Sequence, residues 1–399
     1  MTRFSPFAAL RYSSPVRPAA CSTVVAPPYD VLSDADRIAL EALDARNSVR
    51  IDYPHGATDP GAYAGVRVQL ERWIADGTIA VDETPTFTIY RMTTRTGGSA
   101  QSTTGVIGGL GLEPPGHGDV LPHEETTSKD KADRLELIRA SRVNTSPIWG
   151  LSLASGLGAL CARLVGTREP DAEAADADGV LHETWAVDDA ADIDAIRTLV
   201  ETTPIVIADG HHRFETALAY QHEMPAAAGA GAIMALIVEL AEDELTVRGI
   251  HRIITLPVGV DPLDAFSAWF SHEPITAGDS DMLAVMKDRG GLILRTSGGT
   301  WLLRPRDGAF PEGTSLDSQR AAAVIGAVEG AAVRFHHDVA TVLGAAASAD
   351  SATNTVGLLL RPATVAQIRA VAHARTRMPA KTTFFWPKPR TGMLFRPVD

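Results

Sequence analysis

The feature that most constrains the fold is a junction between a strand and a helix near the middle of the chain. Residues 204–208 form a short, mostly β-branched run (Pro-Ile-Val-Ile-Ala), which predicts a buried strand. Beyond Gly210, Phe214, Ala217 and Leu218 recur at helical spacing. A buried strand that passes directly into a helix is typical of mixed α/β proteins. We therefore predict an α/β to α+β fold in which mixed sheets are flanked by helices.

The rest of the chain shows the same alternation of helical and strand patterns. Apolar spacing and capping residues predict a helix that starts near Ser128 and helices over 34–46, 60–76, 261–271, 280–288, 317–328 and 364–374. Alternating or β-branched runs predict strands over 86–92, 104–112, 146–153, 234–240, 245–254, 291–304 and 355–361. We expect the first two of these strands to form a hairpin, and 234–240 to pair with 245–254 across an acidic turn.

Three portions are expected along the chain. An N-terminal α/β portion covers 1–115, a central portion with the strand-to-helix junction covers 116–255, and a C-terminal α/β portion covers 256–399. Residues 168–180 are acidic, rich in alanine and free of aromatic side chains, which is typical of an exposed connection. The last portion ends in an unusually aromatic tail, 383–389, which we expect to dock onto the folded body.

Composition argues against several classes of function. The chain has 36 Lys and Arg against 49 Asp and Glu, a net charge of −13, and lacks a basic stripe, so no nucleic-acid partner is expected. The longest apolar runs are far shorter than the roughly 20 residues that span a bilayer, so no membrane segment is expected. Cys21 and Cys161 are too few for a disulfide framework, which favours a cytoplasmic location. P-loop, dinucleotide-binding, zincin and α/β-hydrolase signatures are also missing.

The junction itself carries the densest cluster of reactive side chains, Asp-Gly-His-His-Arg at residues 209–213. A helix N terminus presents unpaired N–H groups and a partial positive charge, and Gly210 lets an anionic ligand approach the backbone closely. Arg213 adds a fixed cation, while His211 and His212 offer donors, acceptors or proton carriers. Asp209 offers a carboxylate for metal binding or proton abstraction. The alternative is a helix cap with solvated histidines, although a cap does not require this cluster behind a buried strand.

A second polar cluster surrounds the helix expected near Ser128. It could complete a phosphate-binding or acid–base site from another direction, or it could be a well-capped surface helix with solvated charges. Its candidate residues are His123, Glu124, Thr126, Lys129, Lys131 and Arg134.

Other polar groups are weaker candidates for function. The rigid turn Pro-Pro-Tyr-Asp at residues 27–30 could hold its tyrosine and aspartate in fixed directions, or be a simple structural turn. Arg252 ends a predicted strand, and Lys381 and Lys388 flank the aromatic tail. A structural role is favoured for each of these, although we keep Arg252 and Lys381 as candidates for ligand binding.

Several stretches, taken together and in order, resemble one known family over almost the whole chain. The sequence is similar to that of the bacterial and archaeal family catalogued as domain of unknown function 1015. Membership in that family assigns no activity. The matching stretches are residues 6–11, 26–32, 123–126, 131–134, 208–217 and 378–388.

The turn at 209–213 also resembles, more distantly, the phosphate-binding corner of ParB and sulfiredoxin-like domains, among them free-serine kinases. This resemblance implies a ParB/sulfiredoxin-like module around the turn and a phosphotransferase that uses ADP or ATP. Gly210, His212 and Arg213 would then grip phosphates, while Asp209 or Glu124 would activate an acceptor hydroxyl. His211 stands about where a sulfiredoxin would need a nucleophilic cysteine, so the thiol chemistry of sulfiredoxins is not expected. The acidic net charge of the chain disfavours DNA loading of the ParB type.

The leading hypothesis is a magnesium-dependent kinase of serine or a similar hydroxylated metabolite, with Mg²⁺ at Asp209 and ADP or ATP as cosubstrate. Its catalytic candidates are Asp209, His211, His212 and Glu124. A lysine at position 129 or 131 would help neutralise the phosphates. The alternatives are a non-catalytic nucleotide-binding regulator and a metal-dependent hydrolase with His211, His212 and Asp209 as ligands. Adjacent helical histidines point about 100° apart, which makes a shared metal awkward.

Overall fold

A computed structural model describes residues 2–13, 21–56, 63–96, 98–114, 118–122, 131–350 and 353–399, apart from the side chains of Thr96, Lys131 and Ala132. The chain divides into two compact units. The first unit comprises Met1–Thr246 with Pro387–Asp399, and the second comprises Val247–Trp386. The division into three portions at residues 115 and 255 stays a prediction. Within the described ranges, no helix has both the length and the apolar character that a membrane crossing requires.

The strands, in chain order, are β1 (Phe4–Ser5), β2 (Leu10–Tyr12), β3 (Ile79–Val81), β4 (Phe87–Thr96), β5 (Ser99–Gly111), β6 (Val120–Pro122), β7 (Val143–Asn144), β8 (Ile148–Ser152), β9 (Ala172–Ala175), β10 (Leu181–Val187), β11 (Ile205–Asp209), β12 (Ala232–Glu239), β13 (Thr246–Gly249), β14 (His251–Thr255), β15 (Phe270–Pro274), β16 (Leu292–Thr296), β17 (Gly299–Pro305), β18 (Ala332–His336), β19 (Thr355–Leu359), β20 (Thr383–Trp386) and β21 (Arg396–Pro397).

The helices are α1 (Cys21–Val24), α2 (Asp34–Leu43), α3 (Val49–Asp52), α4 (Ala64–Ala75), α5 (Lys131–Ser141), α6 (Leu157–Val165), α7 (Ala190–Glu201), α8 (His211–Glu223), α9 (Pro262–Ser267), α10 (Met282–Arg289), α11 (Asp317–Ala327), α12 (Val339–Ala347) and α13 (Val365–His373). Short 3₁₀ helices cover Tyr29–Val31 and Asp279–Asp281.

The first unit is built around a mixed sheet with the strand order β6-β11-β8-β12-β5-β4-β10-β9, and β1 pairs with β5. In this sheet β11 runs parallel to β6 and antiparallel to β8, and β8 runs parallel to β12. Ile205, Val206 and Ile207 of β11 are 0% exposed. Phe214 and Ala217 of α8 pack into the same apolar core. The mixed α/β class and the strand-to-helix junction are therefore confirmed.

Two local expectations within this unit are corrected. The hairpin between 234–240 and 245–254 is wrong, because β12 pairs with β5 and β8. Its residues Ile233 to Val238 are buried on both faces, as in a central strand that has a neighbour on each side. The stretch 168–180 is more than an exposed connection, because it contains β9. Ala172 and Ala174 of β9 are buried against the sheet, where β9 pairs with β10.

The second unit has an antiparallel sheet with the order β15-β17-β16-β19-β14-β18. Helices α9 and α11 cover one apolar cluster of this sheet, and α10 and α12 cover another. The aromatic tail enters this unit through β20, which pairs with β13, and its Phe385 is buried.

Candidate functional site

The turn between β11 and α8 depends on Gly210. This residue has φ 89° and ψ 28°, in the left-handed region that side chains other than glycine rarely adopt. A Cβ at this position would also lie 2.8 Å from Cγ2 of Ile148 on the neighbouring strand. The left-handed glycine thus lets a buried strand turn at once into a helix of 13 residues, whose N terminus carries a partial positive charge.

Asp209 is the centre of a charged cluster at this turn. One of its carboxylate oxygens accepts a hydrogen bond from Nζ of Lys388 at 2.5 Å, and the other accepts one from Nη2 of Arg213 at 3.0 Å. Arg213 is further oriented by bonds from Nη1 to the Ser146 hydroxyl at 2.9 Å and the Pro147 carbonyl at 2.7 Å. Two cations share one carboxylate, so the cluster has an excess positive charge beside the helix N terminus. We call Asp209, Gly210, Arg213 and Lys388 the charged corner.

The pKa of Asp209 limits what this carboxyl can do. Burial acts to raise the pKa, but the charges of Lys388 and Arg213 and the hydrogen bond from Lys388 outweigh it and hold the pKa at about 2. The group is therefore ionised at physiological pH and is a weak proton acceptor. This geometry favours a carboxylate that fixes the direction of two cations over the general base considered from the sequence.

A metal ion at Asp209 does not fit this arrangement. Both carboxylate oxygens are already hydrogen-bonded to cations, and a divalent ion there would lie beside two positive charges. In the part of the chain that the structure describes, no group of three or more His, Cys, Asp or Glu side chains is placed to hold a metal ion. We therefore assign no step to a metal bound at Asp209.

His211 and His212 lie in the first turn of α8, and both are half-buried. The charge of His211 contributes to the low pKa of Asp209, which places this imidazole beside the charged corner. The carbonyl of His212 accepts a hydrogen bond from the Thr216 hydroxyl at 2.7 Å. Both histidines thus begin the helix that carries Arg213, and the Nε2 atom of His211 is buried.

Arg134 of the second polar cluster lies in a buried network within the first unit, and 4% of its side chain is exposed. Its guanidinium donates to the Asp52 carbonyl at 2.9 Å and to the Tyr63 hydroxyl at 2.6 Å, and it pairs with Asp133 at 2.7 Å. The ring of Tyr29 lies 3.8 Å from the guanidinium carbon. Arg134 therefore holds together segments that are far apart in sequence, a role that its position in the first turn of α5 did not indicate.

The segment that carries Lys388 belongs to the first unit and is held there by contacts of Arg390. The Arg390 backbone N–H donates to the Tyr90 hydroxyl at 3.0 Å, and its guanidinium pairs with the carboxylate of Asp176. Asp176 also accepts a hydrogen bond from His182 at 3.1 Å, and the other ring nitrogen of His182 lies 2.8 Å from the Tyr90 hydroxyl. Sequence reasoning treated Lys388 as structural and missed Arg390 and Asp176. The one available signal was that a family-like stretch, 378–388, ends at Lys388.

Most of the second polar cluster lies outside the described residues. This applies to His123, Glu124, Thr126 and Lys129, and Lys131 is described only as the first residue of α5.

Two further candidates belong to the second unit. Arg252 is buried, donates to the Ile250 carbonyl at 2.7 Å and to the Lys381 carbonyl at 3.0 Å, and lies over the ring of Phe335. Lys381 is exposed and has φ 59°. Their roles as ligand-binding residues stay predictions.

The fold and the charged corner define a mixed α/β protein whose strand-to-helix turn carries two cations on one carboxylate. The chain belongs to the family described as "Protein of unknown function (DUF1015)", whose family model matches residues 4–326. This confirms the resemblance seen in the sequence. Comparison with curated proteins finds no match.

Several solved structures show a low similarity to this chain. SbnI with a C-terminal truncation from Staphylococcus aureus has a TM-score of 0.39 and 12% identity, and the match covers 68% of this chain and 82% of that one. A mutant free serine kinase in complex with AMP has a TM-score of 0.37 and 12% identity, covering 67% and 83% of the two chains. A conserved hypothetical protein from Pyrococcus furiosus has a TM-score of 0.35 and 10% identity, covering 68% and 88%.

Proposed function

We propose that the protein is a small-molecule phosphotransferase, a kinase that transfers a phosphoryl group from ADP or ATP to serine or a similar hydroxylated metabolite. The observation that carries the proposal is the charged corner, where Lys388 and Arg213 are both held on Asp209 at the N terminus of α8.

The electrostatics of the corner suit a phosphate. Lys388 and Arg213 are 12% and 11% exposed, so their charges are partly shielded from solvent yet remain accessible to a ligand. Gly210 has no side chain, so phosphate oxygens can approach the backbone of the first helical turn. Phosphoryl transfer requires mainly positioning and charge neutralisation, and pre-oriented cations supply both.

The proposed reaction forms one bond and breaks one. The acceptor hydroxyl oxygen bonds to the terminal phosphorus, the bridging P–O bond of the nucleotide breaks, and the shortened nucleotide leaves with the electron pair. The hydroxyl proton passes to a base, for which Glu124 is the candidate because Asp209 is too weakly basic. Arg213, Lys388 and His212 hold the phosphates. Mg²⁺ is expected to enter with the nucleotide and neutralise phosphate charge.

The test incubates the purified chain with ADP or ATP, Mg²⁺ and a panel of hydroxylated amino acids, and detects phosphorylated product by mass spectrometry. We expect product with the wild type and a loss of at least about 100-fold with Arg213→Met. Arg139→Met is the matched control. Arg139 lies on α5 and pairs on the surface with Glu223, which is at the opposite end of α8 from the charged corner. Its activity should stay within about twofold of wild type.

The other outcomes reject the proposal in distinguishable ways. Nucleotide-induced stabilisation without any turnover would instead support the non-catalytic regulator. If the protein shows no nucleotide-induced stabilisation and forms no product, both the kinase and the regulator hypotheses are rejected. Equal activity of the Arg213 and Arg139 variants would show that transfer occurs away from the charged corner.

A further inference from the structure

The turn Pro-Pro-Tyr-Asp at residues 27–30 presents a tyrosine in a fixed direction within the first unit. Two prolines restrict the backbone just before Tyr29. A 3₁₀ turn follows, with the Val31 N–H bonded to the Pro28 carbonyl at 3.2 Å and the Leu32 N–H bonded to the Tyr29 carbonyl at 3.2 Å. The backbone of Tyr29 is therefore held from both sides.

The ring of Tyr29 is also held, by the buried guanidinium of Arg134 at 3.8 Å. Such a contact between a cation and an aromatic face is strongest when the cation is shielded from water, as Arg134 is. Because Arg134 donates its own hydrogen bonds to Asp52, Tyr63 and Asp133, it is itself fixed and cannot follow a moving ring.

The hydroxyl of Tyr29 differs from those of two other tyrosines in this unit. The Tyr63 hydroxyl donates to Asp133 at 2.7 Å, and the Tyr12 hydroxyl donates to the Arg46 carbonyl at 2.6 Å. Within the described part of the chain, the hydroxyl of Tyr29 has no hydrogen-bond partner, and the residue is partly exposed. A fixed ring with an available hydroxyl is what a ligand-binding tyrosine requires.

A short chain of hydrogen bonds connects the support of Tyr29 to that of Arg213. The Asp52 carboxylate accepts from Nη1 of Arg134 at 3.3 Å and from the Thr145 hydroxyl at 2.6 Å. The next residue, Ser146, accepts from Nη1 of Arg213 at 2.9 Å. Thr145 therefore supports Tyr29 through Asp52 and Arg134, and the adjacent residue, Ser146, supports Arg213 directly.

The electrostatics also indicate that Arg213 lies near Tyr29. Burial raises the pKa of Tyr29 well above its usual value, and the charges of Arg134 and Arg213 act in the opposite direction. The phenol therefore stays protonated at physiological pH and can donate a hydrogen bond. Arg213 is close enough for its charge to lower the pKa of Tyr29.

We propose that Tyr29 is a ligand-binding residue of the charged corner, where its hydroxyl donates a hydrogen bond to the phosphate that Arg213 and Lys388 hold. This inference rests on the proposed function and adds a neutral donor to its cations. Tyr29 would orient the phosphate, since a directional O–H bond selects one rotation of the group where two cations alone do not. The shared chemistry is a phosphate oxyanion, supplied by a nucleotide or by free pyrophosphate.

The test is calorimetric titration of the full chain with ADP and with inorganic pyrophosphate. We expect Tyr29→Phe, which keeps the ring on Arg134, to weaken pyrophosphate binding by about 10-fold to 100-fold, the effect of one hydrogen bond to a charged group. Its melting temperature should stay unchanged. Tyr12→Phe is the matched control, because it loses a structural hydroxyl, and it should lower the melting temperature while leaving the affinity within about twofold.

The outcomes separate this inference from the proposed function. If Arg213→Met loses pyrophosphate binding while Tyr29→Phe binds as tightly as wild type, Tyr29 is not a ligand-binding residue and the charged corner stands. If the wild type does not bind pyrophosphate or ADP, or if Arg213→Met binds both normally, the proposed function falls and the role of Tyr29 falls with it. If ADP binding weakens in Tyr29→Phe but pyrophosphate binding does not, the hydroxyl does not contact phosphate, and the inference is also overturned.

Discussion

Replacing Asp209 by Asn tests the charged corner through its stability. Asparagine has nearly the shape of a protonated aspartic acid, so the variant should resemble the wild type with this one carboxyl neutralised. Lys388 and Arg213 would then lie side by side, 12% and 11% exposed, without the negative charge between them. A pair of like charges in a partly shielded site lowers the free energy of unfolding.

The size of the effect follows from the pKa of Asp209. Burial opposes ionisation, but Lys388 and Arg213 prevail and bring the pKa from its usual 3.8 to about 2 in the folded protein. At about 1.4 kcal/mol for each pH unit, this contributes about 2 kcal/mol to the free energy of unfolding at neutral pH. Because the folded-state pKa is the lower one, the contribution is fully present above pH 3.8 and is lost as the pH falls through about 2.

The assay is urea unfolding of the wild type and Asp209→Asn at about pH 7 and about pH 3. We expect the two proteins to differ by about 2 kcal/mol at the higher pH and by about 1 kcal/mol at the lower pH. Asp188→Asn, which changes an exposed carboxyl elsewhere in the first unit, should stay within about 0.5 kcal/mol of wild type. A difference for Asp209→Asn below about 0.5 kcal/mol at pH 7, or one that does not shrink at pH 3, would refute the reasoning.

Three further perturbations have definite expected outcomes. Gly210→Ala should cost more than about 1 kcal/mol in urea unfolding, because φ is 89° and the new Cβ would lie 2.8 Å from Ile148; an unchanged midpoint would contradict the strain. Arg390→Met leaves the buried carboxylate of Asp176 without its cation, so a loss of about 3 kcal/mol is expected, and a loss below about 1 kcal/mol would show that the pair is dispensable. Burial, aided by Arg252, lowers the pKa of His251 to about 4, so its contribution to stability is present above pH 6.5 and lost as the pH falls through about 4. Thermal unfolding should show this loss, about 3 kcal/mol, and His251→Asn should reduce it.

The central strand-to-helix junction could be predicted from the sequence because its signals are local. The β-branched run, the glycine and the helical spacing of Phe214 and Ala217 all lie within fifteen residues of one another, and β11 and α8 follow them closely. The failure at 234–254 has the opposite cause. A strand buried on both faces chooses its partners by tertiary packing, so β12 pairs with β8 and β5 rather than with the segment next to it.

The charged corner could be predicted only in part, for a similar reason. Asp209, Gly210 and Arg213 are adjacent in sequence, so their density was visible. Lys388 contacts the Asp209 carboxylate from 179 residues away in sequence. A single lysine beside an aromatic tail forms no sequence pattern that predicts a distant ion pair. The role of Arg134 was hidden in the same way, because its partners Asp52 and Tyr63 lie 82 and 71 residues away.

The central claim is that Lys388 and Arg213 form a binding site for phosphate at the start of α8. The most direct test is calorimetric titration of inorganic pyrophosphate into the wild type and into Lys388→Met, with Lys287→Met as a control for the loss of one lysine charge in the second unit. We expect saturable binding at one site, weakened at least about tenfold in Lys388→Met and weakened further by salt, with the control unchanged. Equal affinity in all three proteins, or no saturable binding in the wild type, would contradict the account.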